Sequence, residues 1–167
     1  MDGVISLFGF PEDEPAPGSF HDIDGMSHCL GHSAGERLGR LAERFELVWA
    51  TGWQDRANEY LPRLLGLEAP ELPSLTFTTT PQLDAHWKLP AINQYAGDRP
   101  AAWIDDSLDE RCERWARERE APTLLIHSEP ATGISEEHVE RLLRFAEEVG
   151  GGRAEPSPRG GVGESSS

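Results

Sequence analysis

The sequence predicts an open α/β sheet in a single domain over residues 1–149. Three observations point there. The apolar runs "FELVWA" (45–50), "AAWID" (101–105) and "TLLIH" (123–127) are continuous rather than alternating, as in strands covered on both faces. Helical periodicity fills the intervals between them, so the two kinds of element alternate. A chain of 167 residues with 37% hydrophobic content can bury one core.

Each element has its own signal. Ser33 and Glu36 form a capping box ahead of Leu38, Leu41, Ala42 and Phe45. After the 45–50 strand, Ala57, Tyr60, Leu61, Leu64 and Leu65 predict a second helix. Gly66 stops it, and Pro62 weakens its middle. "SLTFT" (74–78) is a weaker strand candidate, and Lys88 in "HWKLPAI" sits at the start of the next helix. Following the 101–105 strand, Ser107 and Glu110 make a second capping box, leading to Leu108, Cys112, Trp115 and Ala116. After 123–127, the last helix starts at Ser135, with Glu136 and Glu137 in its first turn. Ile134 and Val139 staple it, and Val139, Leu142, Leu143, Ala146 and Val149 form its buried stripe up to Gly150. Residues 11–18 are an acidic, Pro-rich loop. Residues 6–32 read as a flap with Asp24-Gly25 at a hairpin turn, and residues 150–167 as a disordered Gly/Ser/Pro-rich tail.

Composition narrows the function. The net charge is −15, which argues against non-specific nucleic-acid binding. No apolar run approaches the ~20 residues of a membrane span, and no signal-peptide pattern is visible, so a cytoplasmic location is expected. Cys29 and Cys112 read as two free thiols. Among fifteen basic residues Lys88 is the only lysine, a hint of a position where a guanidinium would not serve.

Sites in open α/β sheets form at the carboxyl ends of strands. Those ends carry Thr51-Gly52-Trp53 and Asp105-Asp106, while the chain opens with Asp2-Gly3. Adjacent carboxylates at a strand end call for a hard divalent cation such as Mg²⁺. The plainer alternatives are that Asp106 or Ser107 only caps the following helix, and that Thr51 only ends a strand. His21, His28, Cys29 and His32 match no closed four-ligand zinc spacing.

Taken together and in order, "MDGV", "LVWATG", "HWK" and "AWIDDS" resemble the motifs of the haloacid dehalogenase (HAD) superfamily of phosphohydrolases, in particular its small-cap, actinobacterial-looking domains with "WATGW" and "WIDD" signatures. The match spans residues 1–106. The resemblance implies a three-layer, Rossmann-like, mostly parallel sheet and a Mg²⁺-dependent phosphatase working through an aspartyl-phosphate. It implies roles residue by residue. Asp2 would be the acid–base residue and a metal ligand, and Thr51 and Gly52 would bind the phosphoryl group. Lys88 would offset charge on nucleophile and phosphate, and Asp105 and Asp106 would hold Mg²⁺.

One departure stands out. The family's nucleophile lies two positions before the residue matched by Asp2, ahead of Met1, together with the first central strand. The expectation is a start assigned too late, for instance at an internal GTG codon, with the nucleophile encoded upstream. The literal Asp22-Ile23-Asp24-Gly25 is set aside because "PAPGSFH" before it offers no buried strand. Neither gap between motifs holds a large cap, so an open pocket roofed by the flap is expected, with a phosphorylated substrate. Two alternatives stay open: a truncated, inactive binding module, and a nucleic-acid end-processing phosphatase.

Overall fold

The computed structural model describes residues 1–151 and is a mixed α/β structure. It contains β1 (Ser6–Leu7), β2 (Gly18–Ile23), β3 (Met26–Gly31), α1 (Ala34–Ala42), α2 (Ala57–Leu65), α3 (Leu89–Ala96), β4 (Ala101–Asp105), α4 (Glu110–Glu118), β5 (Thr123–His127) and α5 (Glu136–Gly151). Short 3₁₀ turns at Gln54–Arg56 and Ala85–Lys88 lead directly into α2 and α3. Among the described residues no helix is long and apolar enough to cross a membrane. The tail expected over 150–167 lies outside the described residues beyond Gly151.

The strands form two separate sheets. One is antiparallel, in the order β1-β3-β2, and the other is the parallel pair β4-β5. The hairpin expected with Asp24-Gly25 at its turn is formed by β2 and β3, which pair in register from Gly18↔Gly31 to Ile23↔Met26. Their two-residue turn has Asp24 at φ 55° and Gly25 at φ 78°. Two successive positive φ values define the hairpin turn that Asp-Gly favours. Asp24 is also held by Arg56 and by the Tyr60 hydroxyl. It is therefore a turn residue and an anchor to α2.

The parallel sheet is smaller than expected. "TLLIH" and "AAWID" pair along their full length, from Ala101↔Thr123 to Asp105↔His127. "FELVWA" does not form a strand. Only Trp49 pairs, through one parallel bridge to Ser74, with Trp49 N–H donating to the Pro73 carbonyl and Leu75 N–H to that of Trp49. "SLTFT" likewise contributes only that bridge. A continuous strand needs partners along its edge, and this segment has them at one residue.

Two helix starts also differ from expectation. Ser33 precedes α1 but its side chain makes no capping bond. At α4 the cap is Asp109, which accepts from the backbone N–H groups of Arg111 and Cys112, so the Ser107–Glu110 box does not form. Ser107 is occupied instead, its N–H donating to Asp105 and its hydroxyl to Asp106. The remaining ends follow the sequence. Gly66 closes α2 at φ 65°, and Ser135 Oγ accepts from His138 N–H at the start of α5, which runs on to Gly151 rather than stopping at Gly150.

Two apolar clusters flank the parallel pair. One joins Leu38 and Leu41 of α1, Leu61 of α2, Val139 and Leu142 of α5 and Ile126 of β5. The other joins Ile92 of α3, Cys112 of α4, Trp103 of β4, Leu75, Ala85 and Leu108. Cys29 and Cys112 are both buried, unpaired thiols. Burial pushes the Cys112 thiol up to about 12.

Candidate functional site

The carboxyl end of β4 gathers most of the residues singled out in the sequence. Asp105, the last residue of β4, is 3% exposed, and Lys88 is 8% exposed. Such burial of two ionisable groups is tolerable only because they meet. Lys88 Nζ lies 2.6 Å from Asp105 Oδ2, and Ser107 N–H donates to Asp105 Oδ1 at 3.1 Å. The 3₁₀ turn Ala85–Lys88 positions the lysine, and Pro90 in the first turn of α3 fixes the direction of the helix that follows. The ammonium also lies 5.7 Å from the centre of the Trp87 ring.

Asp106 is left with a different environment. Burial pushes its carboxyl above the usual carboxylate range, and the neighbouring Asp105 charge adds to the effect. Its Oδ1 accepts from the Ser107 hydroxyl. No cation of the protein pairs with it among the described residues.

The opening loop closes over this pair of acids. Met1 carbonyl accepts from the N–H groups of Val4, Ile5 and Ser6, and Gly3 N–H donates to the Ser6 carbonyl, so residues 1–6 form a tight turn. Gly3 has φ +69°, and a Cβ there would lie 2.4 Å from the Asp106 carboxyl. Only glycine permits this approach. Ser128, just after β5, donates its hydroxyl to the Gly3 carbonyl at 2.8 Å and fixes the turn to the sheet. The amino group of Met1 is enclosed here. Burial, and then the Lys88 charge, lower its pKa, while Asp105, Asp2 and Asp106 act in the opposite direction. Asp2 itself is exposed and lies beside this group.

Thr51 is buried at 4% exposure, and its Oγ1 accepts from Trp53 N–H at 3.2 Å. Gly52 is exposed and borders the lysine turn: a Cβ there would lie 4.0 Å from the Trp87 ring. Thr51 shares the lining of one large cavity with Met1. Met1, Asp2, Gly3, Lys88, Asp105 and Asp106 therefore form one group, with Thr51 and Gly52 at its border.

Further polar groups near this region make contacts that the sequence pattern does not mark. His86 Nδ1 lies 2.6 Å from Asp109 Oδ2, and Asp84 completes a trio whose ligand atoms fall within 4.8 Å of one another. His86 and Asp109 are distant in sequence, and only the packing of the lysine turn against α4 joins them. Asp109 already spends one oxygen on the α4 cap, and its other oxygen meets His86, so this pair braces the two elements. On the flap, His28 Nδ1 bonds Ser6 Oγ at 3.0 Å and its ring meets Trp53 edge-on at 4.9 Å. Its Nε2 is buried with no partner among the described residues.

The donor set at the β4 end suits a hard cation. Asp105 is already neutralised by Lys88, while Asp106 is half-buried, crowded by a like charge and oxygen-only, the chemistry Mg²⁺ accepts. Comparison with protein-family models, with curated proteins and with solved structures finds no match to this chain.

Proposed function

We propose that this chain carries most of the active site of a Mg²⁺-dependent phosphohydrolase of HAD type. One juxtaposition supports the reading above all: the buried Lys88–Asp105 pair lies beside the half-buried Asp106, with the Gly3 backbone packed directly on the Asp106 carboxyl. Such an arrangement suits a phosphoryl group, whose transfer depends mainly on positioning and charge stabilisation.

In this reading the residues divide the work. Asp106 and Asp2 hold the Mg²⁺, which supplies charge neutralisation on the phosphoryl oxygens when bound. Lys88, oriented by its hydrogen bond to Asp105, contributes a second fixed positive charge. Thr51 offers its hydroxyl to the phosphoryl group, with Gly52 leaving room beside it. Asp2, exposed at the turn, protonates the leaving group and then takes a proton from the attacking water. The nucleophile is an aspartate immediately ahead of Met1. It attacks phosphorus, the leaving oxygen departs with a proton from Asp2, and water then cleaves the aspartyl-phosphate. The substrate is a phosphorylated molecule admitted beneath the β2–β3 flap. The sheet completed in this way is the three-layer, mostly parallel Rossmann-like arrangement of that superfamily.

The test is a phosphatase assay with para-nitrophenyl phosphate and Mg²⁺. It compares the chain as given with one extended by the in-frame codons ahead of Met1. Turnover is expected only in the extended form, and should disappear when its last added residue, an aspartate, is changed to asparagine. A non-acidic residue at that position, or an extended form with no turnover, overturns the proposal in favour of an inactive binding module. Turnover by the chain as given would mean a different nucleophile, with Asp22 first to be examined.

A further inference from the structure

Asp84, His86 and Asp109 stand apart from the acids at the β4 end and differ from them in kind. Asp84 immediately precedes the 3₁₀ turn Ala85–Lys88, His86 lies inside that turn, and Asp109 caps α4. Ala85 N–H donates to the Ser107 carbonyl at 2.9 Å, which holds the turn against the segment leading into α4. The ligand atoms of the three side chains then fall within 4.8 Å of one another. His86 and Asp109 are largely buried, whereas Asp84 is exposed and makes no capping bond. Two carboxylates face one imidazole, so the trio is negative even with the ring protonated. No lysine or arginine pairs with it among the described residues, and its one ion pair is internal.

The donor set selects the kind of ion. Mg²⁺ takes oxygen ligands, while an imidazole nitrogen suits Zn²⁺ and its first-row neighbours. One ring nitrogen and two carboxylate oxygens leave the fourth position of a tetrahedral zinc to water. The geometry needs only side-chain movement. Zinc–ligand bonds of about 2.0–2.1 Å set tetrahedral ligands about 3.3 Å apart. Asp84, exposed and not engaged in a cap, can turn inward to that distance. The 2.6 Å contact between His86 Nδ1 and Asp109 Oδ2 opens as the hydrogen they share gives way to the ion and passes to water. Asp109 Oδ1 keeps its bonds from the N–H groups of Arg111 and Cys112, which orient the ligating carboxylate from behind.

We propose that Asp84, His86 and Asp109 form a second metal site, for Zn²⁺ or a related first-row divalent ion, separate from the hard-cation position at Asp106. A bound ion would fasten the lysine turn to α4 through two residues of the turn instead of one, and so hold Lys88 more firmly beside Asp105. The site needs neither a nucleophile nor a phosphorylated substrate. It therefore stands or falls apart from the proposed hydrolysis.

The test titrates the full, untagged chain with Zn²⁺ by calorimetry in excess Mg²⁺, which keeps the hard-cation position out of the reading. One ion per chain should bind, and at about a hundredfold excess over Kd it should raise the Tm by about 4 °C or more. Long-range proton–nitrogen NMR should show the His86 ring nitrogens shifting saturably while those of His127 stay in place. Asp84→Asn and His86→Asn should each weaken binding at least about tenfold. His127→Asn, which alters an exposed ring beside Glu113, should leave it unchanged. Asp84 is exposed, so Asp84→Asn should keep the metal-free Tm within about 2 °C, and its loss of binding is then a loss of the ligand and not of the fold. No Zn²⁺ binding by the native chain, undiminished binding in either ligand variant, or a shift at His127 in place of His86 overturns the site.

Discussion

The β2–β3 hairpin and the 46–51 segment are both short stretches, yet they end in different states. The hairpin closes a ladder from Gly18↔Gly31 to Ile23↔Met26, while the other segment makes one bridge, Trp49↔Ser74. The hairpin carries its own partner across a two-residue turn, so its hydrogen bonds follow from local sequence. A parallel strand cannot do this. Its neighbours come from distant chain, and until both are present it remains a wall of a cavity. Self-sufficient elements of this protein should tolerate damage elsewhere, whereas the β4 side should depend on contacts made at long range.

The largest expected effect tests that dependence at its most buried point. Lys88→Met removes the cation from Asp105 and leaves a carboxylate 3% exposed without its partner. Breaking a buried pair from one side costs about 3–5 kcal/mol. Urea unfolding should show that loss. A Lys88→Met, Asp105→Leu double variant should recover much of it, since an apolar pair removes the orphaned charge. A loss below about 1 kcal/mol in the single variant would mean that the pair is far more hydrated than its burial suggests.

A smaller effect is expected at the junction between the opening turn and the acids. Gly3→Ala puts a methyl group 2.4 Å from the Asp106 carboxyl at a φ of +69°, so the turn must shift. A strained residue of this kind costs about 1–3 kcal/mol. Gly25→Ala is the matching change in the hairpin. It meets no atom within 4 Å and bears only its positive φ, about 1 kcal/mol. Both are read by thermal unfolding. If Gly25→Ala costs more than Gly3→Ala, the hairpin is not the autonomous element described above.

The same contrast explains how far the sequence could be read. Asp24-Gly25 announced its turn, Gly66 its helix end and Ser135 its cap, because each acts within a few residues. The runs at 101–105 and 123–127 paired as expected, since they are each other's neighbours. "FELVWA" has the same composition, but composition does not supply a partner. The cap of α4 was misplaced for a related reason. Ser107 and Asp109 are both good caps locally, and Ser107 does not cap because Asp105 and Asp106 at the strand end occupy its N–H and hydroxyl. Lys88 drew notice as the only lysine, and it is the cation that meets Asp105. His86 carried no comparable mark, because its partner Asp109 lies 23 residues away.

Asp109 gives the smallest expected effect and probes a local device on the long-range side of the molecule. Its carboxyl accepts from Arg111 and Cys112 N–H and meets His86. Burial works to raise its pKa, but the Cys112 bonds and His86 outweigh that and hold it below the ordinary 3.8. The sign follows from linkage. A depressed carboxyl pKa contributes stability that is present above the ordinary value and is lost as pH falls through the lowered one. Asp109→Asn keeps a good capping side chain but removes the negative charge at the helix start, at a cost of about 0.3–1 kcal/mol. At about pH 6 the variant should therefore melt slightly below the native chain, and the gap should close as the pH falls below the ordinary 3.8 and the native carboxyl takes up its proton. A gap that persists unchanged at acid pH would assign the loss to the geometry of the cap and not to its charge.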